Sequence, residues 1–313
     1  MRTASAFQTL AGATLGRAPK RHTKAYRQFS QLDMSCLNCE RSAMTQPFLD
    51  VQPTPDPAVF RLEVTDQVCV GRPGNVFMFG GVGLGAATIA AERATGRSVI
   101  WSSAQFVSYA RVGDTLDLSV EVISGGRNIS QVRVLGTDAG KLVLTVNAAL
   151  GDREGLPSGQ WVTPPEMPPA AECKPRQLWP VQDAALMDRL DVRLAPGRYG
   201  AVPLDGTPSP DGRMVVWIRA KDGAPIDASL LAIFADFVPS GLASAFGRRG
   251  GGNSLDNTLR IARIVPTDWV LCDVKISAAD RGFGHGAIHM FAEDGTMMAS
   301  GSQSAILRFM DPV

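Results

Sequence analysis

Two stretches of the chain share one order of hydrophobic and polar positions, an apolar helix-like segment followed by long alternating strands. The first stretch covers residues 77–150 and the second covers residues 227–309. Regular alternation of apolar and polar residues is typical of a strand with one face in the core and one face in water. The pattern therefore predicts a duplicated α+β fold with antiparallel sheets.

Each stretch opens with a predicted helix. The first covers residues 79–93 and is dominated by glycine and alanine. The second begins at Asp227, a good capping residue, and its apolar residues recur at helical spacing. This spacing places Asp236 as a carboxylate inside an apolar helix. We expect one long helix in each copy, wrapped by its own sheet.

The predicted strands of the first copy follow its helix. They cover residues 98–110, 115–123, 129–136 and 141–150. The final turn and strand of the two copies match, with Gly140 opposite Gly295, an offset of 155 residues. Other pairs at this offset are Gly81 with Asp236 and Ala148 with Gln303. The first copy therefore keeps the scaffold but lacks two polar residues of the second.

Composition changes this picture little. The chain has 313 residues, 45% hydrophobic and 19% charged, with a net charge of +1. This length predicts about two domains or a two-lobed unit. A near-neutral charge gives no reason to propose a nucleic-acid partner, because such binding needs a strongly basic surface.

Two segments interrupt the pattern. Residues 1–32 carry six basic residues and no acid, a composition that resembles a transit peptide. The preferred interpretation is a disordered leader ahead of a second plausible start at Met44. Proline crowds the region between the copies. The predicted divisions are a leader over 1–57, a first lobe over 58–152, a proline-rich linker over 153–176 and a second lobe over 177–313.

The most hydrophobic stretch, residues 228–246, contains Asp236, Pro239 and Gly241, which favours a core helix over a membrane span. Five cysteines do not suggest a disulfide framework, so we expect a reducing compartment. The predicted location is cytoplasmic, or mitochondrial if the basic leader is a transit peptide.

Several sequence motifs do not carry chemistry. Residues 81–86 have the layout of a dinucleotide loop, but no ribose-binding acid follows, so we expect these glycines to permit close helix-to-sheet packing. Cys36 and Cys39 have metal-site spacing without a second pair, and His285 and His289 lack a third ligand nearby. No metal site and no cofactor are predicted.

Three polar residues of the second copy, Asp236, Ser254 and Gln303, remain as candidates. Around them the sequence resembles a known family. The matching segments include Gly80-Gly81, residues 216–220, Ser254-Leu-Asp256 and residues 298–303. Their order and spacing are similar to the type II acyl-CoA thioesterases over residues 60–308. The resemblance implies a double hotdog fold, in which each of two tandem lobes wraps a long central helix in an antiparallel sheet.

The resemblance also implies a chemistry. In that family an Asp, a Ser or Thr, and a Gln activate a water that attacks the thioester carbonyl, and the matching positions are Asp236, Ser254 and Gln303. A carboxylate among apolar side chains is a better base near neutral pH, because burial disfavours its charged form. Backbone N–H groups near Gly80 and Gly81 are the candidate oxyanion donors.

Other positions extend or depart from the family pattern. Arg248 and Arg249 stand on a predicted flexible, basic, glycine-rich loop and are candidate contacts for coenzyme A phosphates, with an ordinary solvated turn as the alternative. Asn257 stands where the family usually has a His, and Val82 where it commonly has a Gln. Candidates for an apolar acyl channel are Phe234, Phe237 and Trp269.

Three functions follow from these residues. The first is a cofactor-free hydrolase that converts acyl-CoA and water to free fatty acid and CoA, as part of fatty acid metabolism. The alternative is a noncatalytic acyl-CoA binding or scaffold protein, and a hydratase ranks third because its usual motif is missing. The resemblance alone implies a homodimer or higher homo-oligomer.

Overall fold

The fold is described by a computed structural model for residues 47–176, 184–194, 208–209 and 211–309. Most of the predicted leader, residues 1–46, and its Cys36 and Cys39 lie outside the described residues. The rest of that segment takes part in the fold, since Phe48 and Leu49 are buried. Apolar burial therefore begins ahead of the leader boundary predicted at residue 57.

The first lobe wraps one helix in an antiparallel sheet. Helix α1 (Gly80–Thr95) ends where Gly96 adopts a left-handed conformation with φ of 65°, which glycine reaches at little steric cost. In chain order, its elements are β1 (Gln52–Pro53), β2 (Val59–Glu63), β3 (Cys69–Arg72), β4 (Asn75–Met78), α1 (Gly80–Thr95), β5 (Val99–Phe106), β6 (Thr115–Gly125), β7 (Ile129–Asp138) and β8 (Lys141–Gly151).

The second lobe repeats this plan with a divided helix. Its elements are β9 (Lys174–Pro175), β10 (Leu190–Leu194), β11 (Arg213–Ala220), α2 (Ala228–Ala235), α3 (Val238–Phe246), β12 (Gly250–Ser254), β13 (Asp256–Ile261), β14 (Val270–Asp280), β15 (Phe283–Ala292) and β16 (Met297–Phe309). Short 3₁₀ helices cover Asp66–Val68, Ala170–Glu172 and Leu186–Arg189.

Within the described residues, 14 strands form one antiparallel sheet that runs through both lobes. Its order is β1-β2-β6-β7-β8-β5-β13-β16-β15-β14-β11-β10-β9, with β12 also paired to β16. Strands β5 and β13 join the lobes, so the two sheets meet side by side. Strands β3 and β4 form a separate hairpin.

The pairing of β5 with β13 confirms the register predicted between the copies. Ser103 pairs with Thr258, and their hydroxyl oxygens lie 2.8 Å apart. Ser103 also pairs with Asn147, just as Thr258 pairs with Ser302. Both Ser103 with Thr258 and Asn147 with Ser302 are 155 positions apart, so the pseudo-twofold axis passes between β5 and β13.

The prediction of one long helix in the second copy was wrong. Helix α2 begins after Asp227, whose carboxylate accepts the N–H of Leu230 at 2.9 Å, and it ends at Ala235. Helix α3 starts at Val238 with Pro239 in its first turn. Since proline has no N–H for the preceding turn, it breaks the helix and leaves Asp236 at the junction.

Helices α1 and α2 pack directly against each other. A Cβ added to Gly81 would lie 2.7 Å from the Cα of Ile233, and one added to Gly85 would lie 2.8 Å from the carbonyl oxygen of Ser229. Gly83 instead faces Leu144 of the sheet. The expectation of helix-to-sheet packing therefore holds for Gly83, whereas Gly81 and Gly85 permit helix-to-helix contact.

The proline-rich segment packs on the outer face of the second lobe. Val162, Met167 and Cys173 belong to a small apolar cluster with Trp217 and Trp269. The indole N–H of Trp217 donates to the carbonyl oxygen of Pro168 at 3.0 Å. Trp269 is therefore part of an outer layer rather than of an acyl channel.

Residues 228–246 are long and apolar enough to cross a membrane. In this fold the same residues form α2 and α3, and every residue of α2 is buried. Their hydrophobicity is accounted for by packing in the core.

Candidate active site

Three elements of the second lobe bring the predicted polar trio together. Asp236 lies at the α2–α3 junction, Ser254 ends β12, and Gln303 lies on the inner face of β16. Glycine allows β12 to approach the junction, because a Cβ on Gly251 would lie 1.9 Å from the carbonyl oxygen of Pro239. The flexible loop predicted at residues 248–252 is wrong for its three glycines, since residues 250–252 form a strand paired with β16.

The trio forms a closed set of hydrogen bonds. The Ser254 hydroxyl donates to Oδ1 of Asp236 at 2.9 Å. Nε2 of Gln303 donates to the same Oδ1 and to the Ser254 Oγ, the latter at 2.7 Å. Both N–H groups of Gln303 are thus used to hold Asp236 and Ser254.

The first lobe completes the arrangement around the carboxylate. The N–H of Gly81, in the first turn of α1, donates to Oδ2 of Asp236 at 2.6 Å. A Cβ on the neighbouring Gly80 would lie 2.8 Å from the same oxygen, so only glycine leaves that approach open. The N-terminal end of a helix also favours a negative charge. The site is therefore built by both lobes, although the sequence placed it in the second.

The environment of Asp236 tunes its acidity. Its side chain is buried, with 3% of its surface exposed. Burial raises the pKa of Asp236 to about 6, even though hydrogen bonds from Gln303, Ser254 and Gly81 act to lower it. A carboxyl group with this pKa is ionised at neutral pH and still accepts a proton readily.

One acceptor position of the carboxylate is left over. A carboxylate oxygen accepts about two hydrogen bonds. Oδ1 takes bonds from Ser254 and Gln303, whereas Oδ2 takes its described bond from Gly81. Oδ2 can therefore accept one further hydrogen, for example from a water in the adjoining cavity.

A cavity of about 280 Å³ opens beside this group and lies between the two lobes. Asp236 and Ser254 line its polar end, and most of the remaining lining is apolar. The lining from the first lobe comprises Val70, Phe77, Met78, Phe79, Gly80, Phe106, Val107, Ser108, Tyr109, Ala110 and Val143, and that from the second lobe adds Pro239, Gly252, Asn253, Leu255 and Ile306. Phe234 and Phe237, the other predicted channel residues, are fully buried and do not belong to its described lining.

The predicted phosphate contacts stand apart from this cavity. Neither Arg248 nor Arg249 belongs to its described lining. The guanidinium of Arg248 lies 5.1 Å from the ring centroid of Phe309, where a cation–π contact holds it. Both arginines precede β12, on the chain segment that leads into Ser254.

His285 and His289 remain outside the site. Nδ1 of His285 lies 3.1 Å from the Ser304 hydroxyl on the adjacent strand, and His289 packs near Phe291. Within the described residues, no group of three or more His, Cys, Asp or Glu side chains has the arrangement of a metal site.

The sequence did not identify two cavity-lining residues that link the lobes. The Asn253 side chain donates to the Tyr109 hydroxyl at 2.8 Å, which links β12 to the segment after β5. Tyr109 also packs on Phe77, with ring centroids 4.9 Å apart. These residues belong to different copies, and the offset between copies does not pair them, so the duplication gave no signal for this contact.

Comparisons with known proteins agree with the geometry. Family models described as the acyl-CoA thioesterase N-terminal and C-terminal domains match residues 71–151 and 164–307. No curated protein matches the sequence. A protein from Novosphingobium aromaticivorans with a provisional thioesterase assignment is 39% identical, with a TM-score of 0.74, over 82% of this chain and 98% of that one.

Two more distant structures support the fold. A hot dog fold protein of unknown function from Alicyclobacillus acidocaldarius is 19% identical, with a TM-score of 0.72, over 84% of this chain and 97% of that one. An acyl-CoA thioesterase II from Mycobacterium marinum is 22% identical, with a TM-score of 0.64, over 85% and 97% of the two chains. The architecture is therefore a hotdog fold.

Proposed function

The chain belongs to the acyl-CoA thioesterase family, and on this premise we propose that it hydrolyses fatty acyl-CoA to a free fatty acid and CoA. One observation carries the proposal. A buried carboxylate with a pKa near 6 and one remaining acceptor position lies at the polar end of an apolar cavity. That combination suits general-base activation of water beside an acyl chain.

In the proposed mechanism, Asp236 is the base. A water donates one hydrogen to Oδ2 of Asp236 and the other to Ser254 Oγ, and its oxygen then faces the cavity. As this oxygen attacks the thioester carbonyl, Asp236 takes the proton and a tetrahedral intermediate forms. Collapse of the intermediate breaks the C–S bond, and the proton held by Asp236 passes to the departing thiolate.

Gln303 has an indirect role in this proposal. Its two N–H groups are engaged by Asp236 and Ser254, so it holds the base and the hydroxyl in register instead of touching the water. This assignment differs from the family-based expectation that Ser254 and Gln303 both bind the water. It also accounts for the absence of Gln303 from the cavity lining among the described residues.

The oxyanion that develops on the carbonyl needs hydrogen-bond donors. Two backbone groups were candidates, and the N–H of Gly81 is already bonded to Asp236. We assign the role to the N–H of Gly80, which belongs to the first turn of α1 and lines the cavity. First-turn amides have no partner within their helix, so they are available for such a bond.

The acyl chain would occupy the apolar part of the cavity, between the β3–β4 hairpin and the end of β5. Arg248 and Arg249 remain the predicted contacts for coenzyme A phosphates, on the approach to β12. The steps above use only water and side chains, so we propose a cofactor-free reaction.

Release of free CoA from short, medium and long acyl-CoAs tests the activity. We expect thiol release from at least one chain length, and a loss of at least about tenfold in kcat for Ser254→Ala and Gln303→Ala, the equivalent of one hydrogen bond. Ser302→Ala is the matched control, because Ser302 adjoins Gln303 on β16 but is exposed on the opposite face.

Binding of acyl-CoA without thiol release from any chain length would overturn the hydrolase proposal and favour the noncatalytic binding protein. Release that survives both substitutions would keep the activity but refute the site.

A further inference from the structure

A second buried amide lies beside Gln303, and the mechanism above does not use it. Asn257 on β13 is fully buried, with 0% of its surface exposed. Neither its Oδ1 nor its Nδ2 has a hydrogen-bond partner among the described residues. Buried amides are rarely left unpaired, since each lost bond costs about 1–3 kcal/mol. Asn257 therefore needs a polar neighbour.

Strand register identifies that neighbour. Thr258 of β13 pairs with Ser302 of β16 and Ser254 of β12 pairs with Ala305, so Asn257 lies beside Gln303 where the register shifts by one residue. Both side chains point to the inner face, because their neighbours Thr258 and Ser302 point outward. Residues opposite one another on adjacent strands have Cβ atoms about 4.5–5.5 Å apart, within reach of two amides.

Among the residues that the structure describes, Gln303 has one unpaired group, its side-chain oxygen Oε1. Its Nε2 donates to Asp236 and Ser254, whereas its Oε1 is buried and has no partner within the described part of the chain. A carboxamide oxygen is an acceptor, and the NH₂ of Asn257 is a donor. The two unpaired groups are chemically complementary.

We propose that Asn257 is a positioning residue that fixes the orientation of the Gln303 carboxamide by donating to its Oε1 through one bridging water. With Oε1 held in this way, Nε2 must face Asp236 and Ser254. If the amide turned over, its oxygen would face the carboxylate, and both hydrogen bonds of Gln303 would be lost. This role rests on the proposed hydrolytic function of the same site.

The first lobe supplies a natural comparison. At the offset of 155 residues, the counterparts of Asn257 and Gln303 are Ser102 and Ala148, which pair directly on β5 and β8. The Ser102 hydroxyl is also buried, without a partner among the described residues. Ser102 therefore shares the environment of Asn257 but has no amide opposite it.

The experiment compares Asn257→Leu, Gln303→Ala and the double variant, with Ser102→Ala as the matched control. Leucine has about the same size as asparagine but cannot donate. We expect Asn257→Leu to lower kcat about tenfold, the equivalent of one hydrogen bond, with KM changed less than about twofold. In the Gln303→Ala background the same substitution should cost nothing further, because Asn257 acts only through Gln303.

A second readout does not depend on turnover. The Gln303 hydrogen bond lowers the pKa of Asp236, so Asn257→Leu should raise that pKa. The titration can be followed by NMR on protein with ¹³C-labelled Asp carboxyl groups, with Asp236→Asn assigning the signal. Ser102→Ala should leave both kcat and the Asp236 pKa unchanged.

Two outcomes would overturn the inference. One is an Asn257→Leu protein with wild-type kcat and wild-type Asp236 pKa, and the other is independent, multiplying effects of the two substitutions. If Asn257→Leu fails to fold, a crystal structure of the intact protein tests the positioning role instead. We expect one water to join Nδ2 of Asn257 to Gln303 Oε1, and an Asn257 side chain bonded elsewhere would refute the role. An intact protein without hydrolase activity would refute the proposed function, while the titration and the contact would still test the positioning role.

Discussion

At the scale of single residues, Asp236 has the environment that most restricts its chemistry. Its carboxylate is buried, receives three described hydrogen bonds and retains one acceptor position toward the cavity. Burial raises its pKa, and hydrogen bonds from α1, β12 and β16 limit that rise. The base strength therefore depends on residues from both lobes.

This environment predicts a pH dependence. Asp236 must be ionised to accept a proton from water, so kcat/KM should rise with pH through an acid limb near pH 6 and level off above it. Gln303→Ala removes a hydrogen bond that lowers the pKa, so the limb of its residual activity should move to higher pH. Initial rates across a pH series would measure both effects, and a limb that stays fixed in the variant would contradict the assignment.

The sequence predicted part of this site and missed the rest for a physical reason. The offset between the copies identified Asp236 and Gln303 as polar residues without counterparts, and the structure brings both together with Ser254. Asn257 was noticed only as a departure from the family pattern. Its relation to Gln303 depends on strand register over 46 positions, which no local pattern in one sequence encodes.

At the scale of elements, α1 and α2 meet along a face of small residues. The strands of the first lobe were predicted well, because alternation is a direct signal of a strand. Three of the four predicted strands match β6, β7 and β8 within about two residues, the usual uncertainty of element ends. The single helix predicted over α2 and α3 failed because its apolar spacing continues through Pro239. Periodicity reports which faces are buried, whereas the break depends on one missing N–H group.

Two glycines of α1 give a matched stability test. Gly85→Ala would place a Cβ 2.8 Å from the backbone oxygen of Ser229, so we expect α1 and α2 to separate at a cost of about 1–3 kcal/mol in unfolding free energy. Gly83→Ala meets the flexible end of Met78 at 3.2 Å, and a helix-interior alanine gains up to about 1 kcal/mol.

Urea unfolding of the two variants measures this difference. We expect Gly83→Ala to be equal to or more stable than the wild type and Gly85→Ala to be less stable. Equal losses in both would show that the contact between α1 and α2 is not tightly packed.

At the scale of the whole molecule, two similar lobes contribute unequally to the candidate site. Gly81, Val99 and Ala148 occupy the first-lobe positions that correspond to Asp236, Ser254 and Gln303. The first lobe instead contributes the start of α1 and much of the cavity wall. A homodimer or larger assembly stays a prediction from the family resemblance.

This division predicts one acyl-CoA site per chain. Calorimetric titration with a thioether analogue of acyl-CoA, which cannot be hydrolysed, should give a stoichiometry of one. Asp236→Asn should preserve it, because the substitution keeps the shape of the site. Two equivalent sites per chain would contradict the proposal of a single site built by both lobes.

The most direct test of the central claim is single-turnover hydrolysis of an acyl-CoA by folded Asp236→Asn protein. We predict a loss of about 10²–10⁴-fold in the rate of thioester cleavage, the usual contribution of a general base, with analogue binding nearly unchanged. Asp268→Asn, which alters an exposed carboxylate, is the control and should cleave at the wild-type rate. Cleavage by Asp236→Asn within about tenfold of the wild type would contradict the claim that Asp236 activates the water.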